Sequence, residues 1–249
     1  MTTSFLRRTG LIVACAAVLA GLAAPSAALA LNVYAAASLR DAFPAITNAV
    51  RYSFAGSNQL QLQIEHGAPA DVFASASPKE AQALFHEGLC TRPVTFATNF
   101  LVLLVPKSNP GHLTSVYDLR AGGHRLAVGA PGVPIGDYTR QLLARLRLGA
   151  ILSRNTVSQE PNVTGIVSKV ALGSADAGFA YYTDGRSASD RVSSIRLPRW
   201  AQPPVRYQIC AVRRSGADTA GAQNFIQRVT TRAGRNILKR LGFGLPPRG

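Results

Sequence analysis

The sequence contains few of the residues from which metal centres and nucleophilic active sites are built. Its 249 residues include 3 cysteines and 4 histidines, and the histidines lack the HxxxH-type spacing of zinc ligands. The sequence contains no GxSxG motif, and no histidine lies in a motif that would make it the base for a serine nucleophile. These absences argue against a zinc site and against an enzyme. An exported hydrolase is kept as the less favoured alternative.

Acidic residues are scarce as well. The chain has 12 Asp and Glu against 27 Lys and Arg, which gives a formal net charge of +15. A basic protein raises the question of nucleic-acid binding, but here the basic residues are scattered and aromatic residues are not interleaved with them as stacking platforms. A positive field also steers small anions toward a cleft. A solvated basic surface with no specific role is the alternative for most single arginines, so the composition argues against nucleic acid and leaves anion steering open.

Long hydrophobic runs are confined to the N-terminus. Residues 10–24 are apolar, follow Arg7 and Arg8, and precede the small-residue sequence Ala-Leu-Ala at residues 28–30. This order is typical of a secretory signal peptide and predicts that residues 1–30 are removed on export. A membrane anchor, a lipid anchor at Cys15 and a twin-arginine signal are the weaker alternatives.

Two cysteines remain once the predicted signal is removed. Cys90 and Cys210 both adjoin apolar stretches. An oxidising compartment permits a disulfide between them, whereas apolar surroundings equally suit two buried thiols. The sequence leaves both alternatives open.

Short apolar runs alternate with amphipathic segments along the rest of the chain. Strands are predicted over residues 32–36, 51–55, 71–75, 100–106, 125–129, 177–182 and 205–212. Helices are predicted over residues 39–50, 58–65, 78–87, 137–148, 163–172, 217–230 and 231–241. This alternation predicts an α/β fold with parallel sheets flanked by helices, in which ligands bind beyond the carboxyl ends of the strands.

Four predicted helix starts carry small or apolar residues in their first turn. They lie near Ser38, Ser57, Ile135 and Val163. A helix N-terminus presents unpaired N–H groups and partial positive charge, so it suits an anion. Serine is also a common N-cap, and ordinary capping is the alternative at each junction taken alone.

Several segments of the chain resemble one family of binding proteins, in that family's order. The matching segments are residues 35–39 (AAASL), 53–57 (SFAGS), 67–76 (GAPADVFASA), 99–107 (NFLVLLVPK), 126–129 (LAVG), 133–138 (VPIGDY), 177–181 (AGFAY) and 241–243 (LGF). The family is that of the periplasmic molybdate-binding proteins of bacterial ABC importers, and the resemblance covers residues 31–245. One departure is that only 18 residues separate Ser38 from Ser57, fewer than is usual in the family.

The resemblance implies a two-lobed periplasmic binding protein fold of type II, with the ligand in the cleft between the lobes. Lobe I would comprise residues 31–101 and 202–249, and lobe II residues 102–201. The protein would be a periplasmic monomer that needs no cofactor and delivers its ligand to the membrane permease of an ABC importer. Its ligand would be molybdate, and also tungstate because the two are nearly the same size. Another oxyanion, such as sulfate or phosphate, is the alternative ligand.

The resemblance also implies the residues that hold the ligand. They would contact the oxygens of the oxyanion and not the metal itself. Ser38 and Ser57 would each offer a hydroxyl and a backbone N–H, Ile135 and Val163 a backbone N–H, and Tyr181 its phenol O–H. Tyr182 is the rival for the phenol role and aligns less well.

Overall fold

The computed structural model describes residues 1–2 and 30–246. The predicted signal peptide, with Cys15, lies outside these residues except at its two ends. Across the described part of the chain, no helix has both the length and the hydrophobicity needed to cross a bilayer.

Two five-stranded sheets flanked by helices form the structure. The first sheet contains β1 (Asn32–Ala36), β2 (Arg51–Ala55), β3 (Val72–Ser75), β4 (Val94–Asn99) and β10 (Val205–Ala211). The second contains β5 (Leu101–Pro106), β6 (Leu126–Gly129), β7 (Thr156–Glu160), β8 (Ala177–Tyr181) and β9 (Val192–Arg196). The α-helices are α1 (Ala42–Ile46), α2 (Ser57–Glu65), α3 (Pro78–His86), α4 (Pro134–Arg145), α5 (Ala150–Asn155), α6 (Val163–Ala171), α7 (Tyr182–Ser187), α8 (Thr219–Thr230) and α9 (Arg232–Arg240).

The two sheets have the same layout. Their strand orders are β2-β1-β3-β10-β4 and β7-β6-β8-β5-β9, and in each sheet the first three strands are parallel. The fourth strand of each, β10 or β5, is antiparallel to both of its neighbours. The chain passes from the first sheet to the second between β4 and β5, and returns between β9 and β10. The mainly parallel α/β fold predicted from the alternating segments is therefore confirmed.

Central strands follow the sequence prediction better than edge strands. β3, β5, β6 and β8 are buried along their whole length, which gives the continuous apolar runs expected of strands covered on both faces. The edge strands β4, β7 and β9 were not predicted, because each is partly exposed and mixes polar with apolar residues. The six-residue helices α5 and α7 were also missed, since a segment that short has little periodicity.

The helix predicted over residues 39–50 is wrong in length. The segment forms a 3₁₀ turn at Ala37–Leu39 and then the five-residue α1. The Tyr52 hydroxyl donates to the backbone oxygens of Phe43, at 3.0 Å, and Thr47, at 2.6 Å, where α1 ends. The Phe43 carbonyl already accepts its helical bond from the N–H of Thr47, at 3.0 Å, whereas Thr47 lies beyond the end of α1. The shorter Tyr52 contact, with Thr47, therefore holds the point where the chain turns toward β2. β2 then pairs with β1 over all five residues despite the short connection.

Both cysteines are buried thiols in this structure. Cys90 and Cys210 lie in a small hydrophobic cluster under α2 and α3, together with Leu60, Phe73 and Leu84. The hydrogen bond with the neighbouring Cys90 thiol, and then burial, raise the pKa of Cys210, so it stays protonated at neutral pH.

We expect Tyr52→Phe to destabilise the protein by about 1–2 kcal/mol, because it removes the hydroxyl that donates to the Thr47 carbonyl while keeping the ring. Chemical denaturation of the variant and the parent measures the change. Tyr117→Phe is the matched control, since Tyr117 is 38% exposed and its contact with Arg120 uses the ring face. Equal stability of the Tyr52 variant and the parent would contradict this account of the short connection.

Candidate functional site

A small cavity lies between the two halves of the molecule, where strands of both sheets meet the helices that follow them. Its lining residues are Ala36, Ala37, Ser38, Ala55, Gly56, Ser57, Ala76, Val133, Pro134, Ile135, Asn162, Val163 and Tyr181. All five residues predicted as ligand-binding therefore lie around one cavity, although they are far apart in the sequence. The lining contains Tyr181 and not Tyr182, whose ring instead stacks on Phe100 with the centroids 4.6 Å apart.

The size of the cavity limits what it can hold. Its volume is about 20 Å³, whereas pockets for drug-sized organic ligands measure roughly 300–1,000 Å³. A cavity of this size has room for a small ion and not for a sugar, peptide or nucleotide.

Helix N-termini supply backbone donors on several sides of the cavity. α2 begins at Ser57 and α4 at Pro134, and the residues preceding them, Gly56 and Val133, have no polar side chain that could cap the first turn. The N–H of Gly56 itself donates to the Gln59 side chain, at 3.4 Å. Ile135 is the second residue of α4, so its N–H belongs to the first turn, where helical N–H groups lack an intrahelical acceptor. At α6, the Asn162 side chain accepts from Gly165, at 3.2 Å, and not from Val163.

The two serines are not ordinary caps of their own helices. The Ser57 Oγ accepts a hydrogen bond from the backbone N–H of Ala76, at 3.1 Å. The Ser38 Oγ lies 2.9 Å from the hydroxyl of Tyr207. Since the acceptor side of Ser57 is occupied, its own O–H is available to a group in the cavity. The alternative of simple N-capping does not describe either serine.

Tyr181 carries an unsatisfied buried hydroxyl. Its side chain is 1% exposed at the end of β8, and its Oη has no hydrogen-bond partner within the described part of the chain. Burial raises its pKa far above the ordinary value, so the phenol keeps its proton. A buried hydroxyl without a partner costs about 1–3 kcal/mol, which an acceptor in the cavity would recover.

The electrostatics of the cavity come from dipoles. Among the described residues that line it, none carries a charged side chain. The lining instead offers three hydroxyls and helix N-termini, which are donors to an acceptor-rich ligand. This arrangement suits an anion that brings its own charge and accepts many hydrogen bonds.

The two halves of the molecule approach each other closely beside the cavity. Gly56 precedes α2 in the first half, and a Cβ atom placed on it would overlap the backbone oxygen of Pro161 in the second. Glycine is therefore required here by the approach of another backbone. The glycine of the SFAGS segment indicated that a backbone could come close at this position, but the sequence did not show that the neighbour is Pro161.

A second, larger cavity of about 220 Å³ adjoins the first through Ala37 and Ser38. Unlike the first, it is lined by charged groups from both halves, Arg40, Asp41, Asp184 and Arg191. Burial, and to a lesser extent the negative charge of Asp41, raises the pKa of Asp184 to about 7. One carboxyl oxygen of Asp184 is buried without a hydrogen-bond partner among the described residues.

The fold and the cavity define a two-lobed binding protein of the type II periplasmic class. The family model for bacterial extracellular solute-binding proteins matches residues 31–244, and the chain belongs to that family.

Several relatives of this chain are named as molybdate-binding proteins. The molybdate-binding protein ModA of Mycobacterium tuberculosis is 37% identical to this chain over 224 residues, which are 86% of this chain and 84% of that protein. ModA of Haemophilus influenzae is 31% identical over a match that spans 92% of this chain and 95% of that protein. The solved structure of the Azotobacter vinelandii periplasmic molybdate-binding protein has a TM-score of 0.78 at 26% identity, covering 87% of this chain and 100% of that one.

The raised pKa of Asp184 makes stability depend on pH. The ordinary aspartate value is 3.8 and the folded value about 7, so between these values the folded state binds more protons than the unfolded state. The free energy of unfolding therefore falls as pH rises from about 4 to about 7 and is level above that. We expect Asp184→Asn to remove this component and to stabilise the protein at pH 8 by about 2–4 kcal/mol, since one pKa unit corresponds to about 1.4 kcal/mol.

Denaturant titrations of the parent and the variant at pH 4.5 and pH 8 measure this difference. Asp190→Asn is the control, because this substitution removes a nearby carboxylate whose side chain is 72% exposed. The prediction fails when Asp184→Asn and the parent lose the same stability between the two pH values.

Proposed function

We propose that this protein binds molybdate, and tungstate as an ion of nearly the same size, and delivers it to the membrane permease of an ABC importer. The observation that carries the proposal is the buried, unsatisfied Tyr181 hydroxyl beside a small cavity lined by neutral donors. The molybdate-binding relatives, which match most of the chain, support the choice of ligand. No cofactor and no enzymatic step enter the proposal.

Five residues hold the oxyanion in this proposal. Ser38 and Ser57 donate from a hydroxyl and a backbone N–H, Ile135 and Val163 donate from backbone N–H groups, and Tyr181 donates its phenol hydrogen. All of these donors contact ligand oxygens and not molybdenum. The support is that the five residues line one cavity and that each is buried.

Neutral donors suit a dianion that has lost its water. Hydrogen bonds to a charged acceptor are about twice as strong as neutral ones, and fixed dipoles supply them without a buried counter-charge that would attract any anion. No carboxylate lines the described cavity, so an oxyanion that carries a proton finds no charged acceptor for it. Selection between molybdate and sulfate then rests on cavity size and donor positions.

Transport requires the ligand to enter and leave. Lobe I, residues 31–101 and 202–249, and lobe II, residues 102–201, close over the ion by bending at the two crossings near Asn99 and residues 197–204. The protein acts as a monomer in the periplasm after removal of the signal peptide. The close approach at Gly56 and Pro161 supports a closed form as the one described here.

The ligand is tested by thermal unfolding and calorimetry of the exported protein with molybdate, tungstate, sulfate and phosphate. We expect molybdate and tungstate to raise the unfolding temperature, because a ligand at 100 times its Kd stabilises the folded state by about 2.7 kcal/mol. Sulfate and phosphate at the same concentration serve as controls for ionic strength. A shift with sulfate or phosphate and none with molybdate would assign the other oxyanion.

Tyr181→Phe tests the role of the phenol. We expect molybdate binding to weaken by about 1–3 kcal/mol, because a charged oxygen loses a buried donor while the ring is kept. Tyr182→Phe is the matched control, since Tyr182 is adjacent in the sequence and lies outside the cavity lining. Calorimetry measures both affinities, and equal affinities of the two variants would exclude the Tyr181 hydroxyl from the site.

A further inference from the structure

A chain of hydrogen bonds runs to Ser38 from the crossing between the two sheets. The Asn99 amide nitrogen lies 2.9 Å from the hydroxyl of Thr183 and 3.5 Å from that of Tyr207. The Tyr207 hydroxyl in turn lies 2.9 Å from Ser38 Oγ. Tyr207 and Asn99 lie outside the cavity lining, so neither reaches the proposed ligand directly.

The direction of these bonds follows from the donors available. The Asn99 side-chain oxygen accepts from the N–H of Phe100, at 3.0 Å, which turns the amide NH₂ group toward Thr183 and Tyr207. The NH₂ group has two hydrogens, one for each hydroxyl oxygen, and no capacity to accept. Tyr207 Oη is therefore an acceptor in its bond with Asn99.

The single hydroxyl hydrogen of Tyr207 is not used in the bond with Asn99 and is free to point to Ser38. The Tyr207 side chain is fully buried, and Phe96, Tyr181 and Phe243 surround its ring in edge-on contacts. Burial raises its pKa well above the ordinary value, so the hydroxyl keeps its hydrogen. Among the described residues, Ser38 Oγ is the acceptor within reach. A reversed bond would leave the Tyr207 hydrogen buried without an acceptor.

We propose that Tyr207, oriented by Asn99, is a positioning residue that fills the acceptor side of Ser38 and so directs the Ser38 hydrogen into the oxyanion cavity. The inference rests on the proposed function of that cavity. Because Asn99 ends β4 and also bonds Thr183 in α7, the orientation is set at the crossing that joins the two halves. Ser57 obtains the same orientation from the backbone N–H of Ala76.

A double-mutant cycle tests this role, with molybdate affinity measured by calorimetry for the parent, Tyr207→Phe, Ser38→Ala and the double variant. We expect Tyr207→Phe to weaken binding roughly 3- to 10-fold, the worth of one neutral hydrogen bond. In the Ser38→Ala background the same change should have no effect, because Tyr207 acts through Ser38. Phenylalanine keeps the ring contacts, and the unfolding temperature without ligand checks that the variant folds.

Whether Tyr207→Phe weakens or strengthens molybdate binding distinguishes the two possible donors in the hydrogen bond between Ser38 and Tyr207. If Ser38 donated to Tyr207, Tyr207→Phe would release the Ser38 hydrogen and leave binding unchanged or tighter, which would overturn the inference. An equal loss of affinity with and without Ser38 would also overturn it, since a general packing defect behaves in that way. Asn99→Ala is the second variant and should weaken binding when Tyr207 is present but not in the Tyr207→Phe background. Failure of the parent to bind any oxyanion would instead reject the proposed function.

Discussion

The direction in which buried hydroxyls point is the constraint on which the site depends. A hydroxyl can accept and donate, and an anion can use it only when its hydrogen faces the cavity. Ser57 meets this condition because the N–H of Ala76 occupies its oxygen, and Tyr181 meets it because its hydroxyl has no partner in the described chain. Ser38 depends on Tyr207 in the same way. The site is thus organised by groups behind the cavity as much as by its lining.

The short connection between Ser38 and Ser57 is compatible with this site, and the Tyr52 side chain bonds the point where the chain leaves α1. The Tyr52 hydroxyl donates to the carbonyl of Thr47, directly after α1, and β2 starts four residues later and pairs fully with β1. Ser57 consequently begins α2 at the same sheet edge where Ser38 follows β1. A family-typical length is therefore not required to bring both serines to one cavity.

Sequence patterns predicted the parts of the fold and site that depend on local signals. Buried strands such as β5 and β8 were predicted from continuous apolar runs. The strand-to-helix junctions pointed to Ser57 and Ile135, but only the family resemblance gave them a role as ligand donors. Three edge strands, β4, β7 and β9, lack such runs and were missed, whereas the edge strand β2 was predicted. Tyr207 was missed for a different reason, because its bond to Ser38 spans 169 positions and has no local pattern. Spacing also could not show that the four junctions converge.

The closeness of the two halves explains why ligand binding and closure are one event in the proposed mechanism. Ser38 and Ser57 belong to the half with the first sheet, whereas Ile135, Val163 and Tyr181 belong to the other. Closure without a ligand brings helix N-termini and a buried phenol together with no acceptor between them, which is unfavourable. An oxyanion removes that penalty by accepting from both halves at once. Part of the free energy of binding therefore stabilises the arrangement in which the two halves are together.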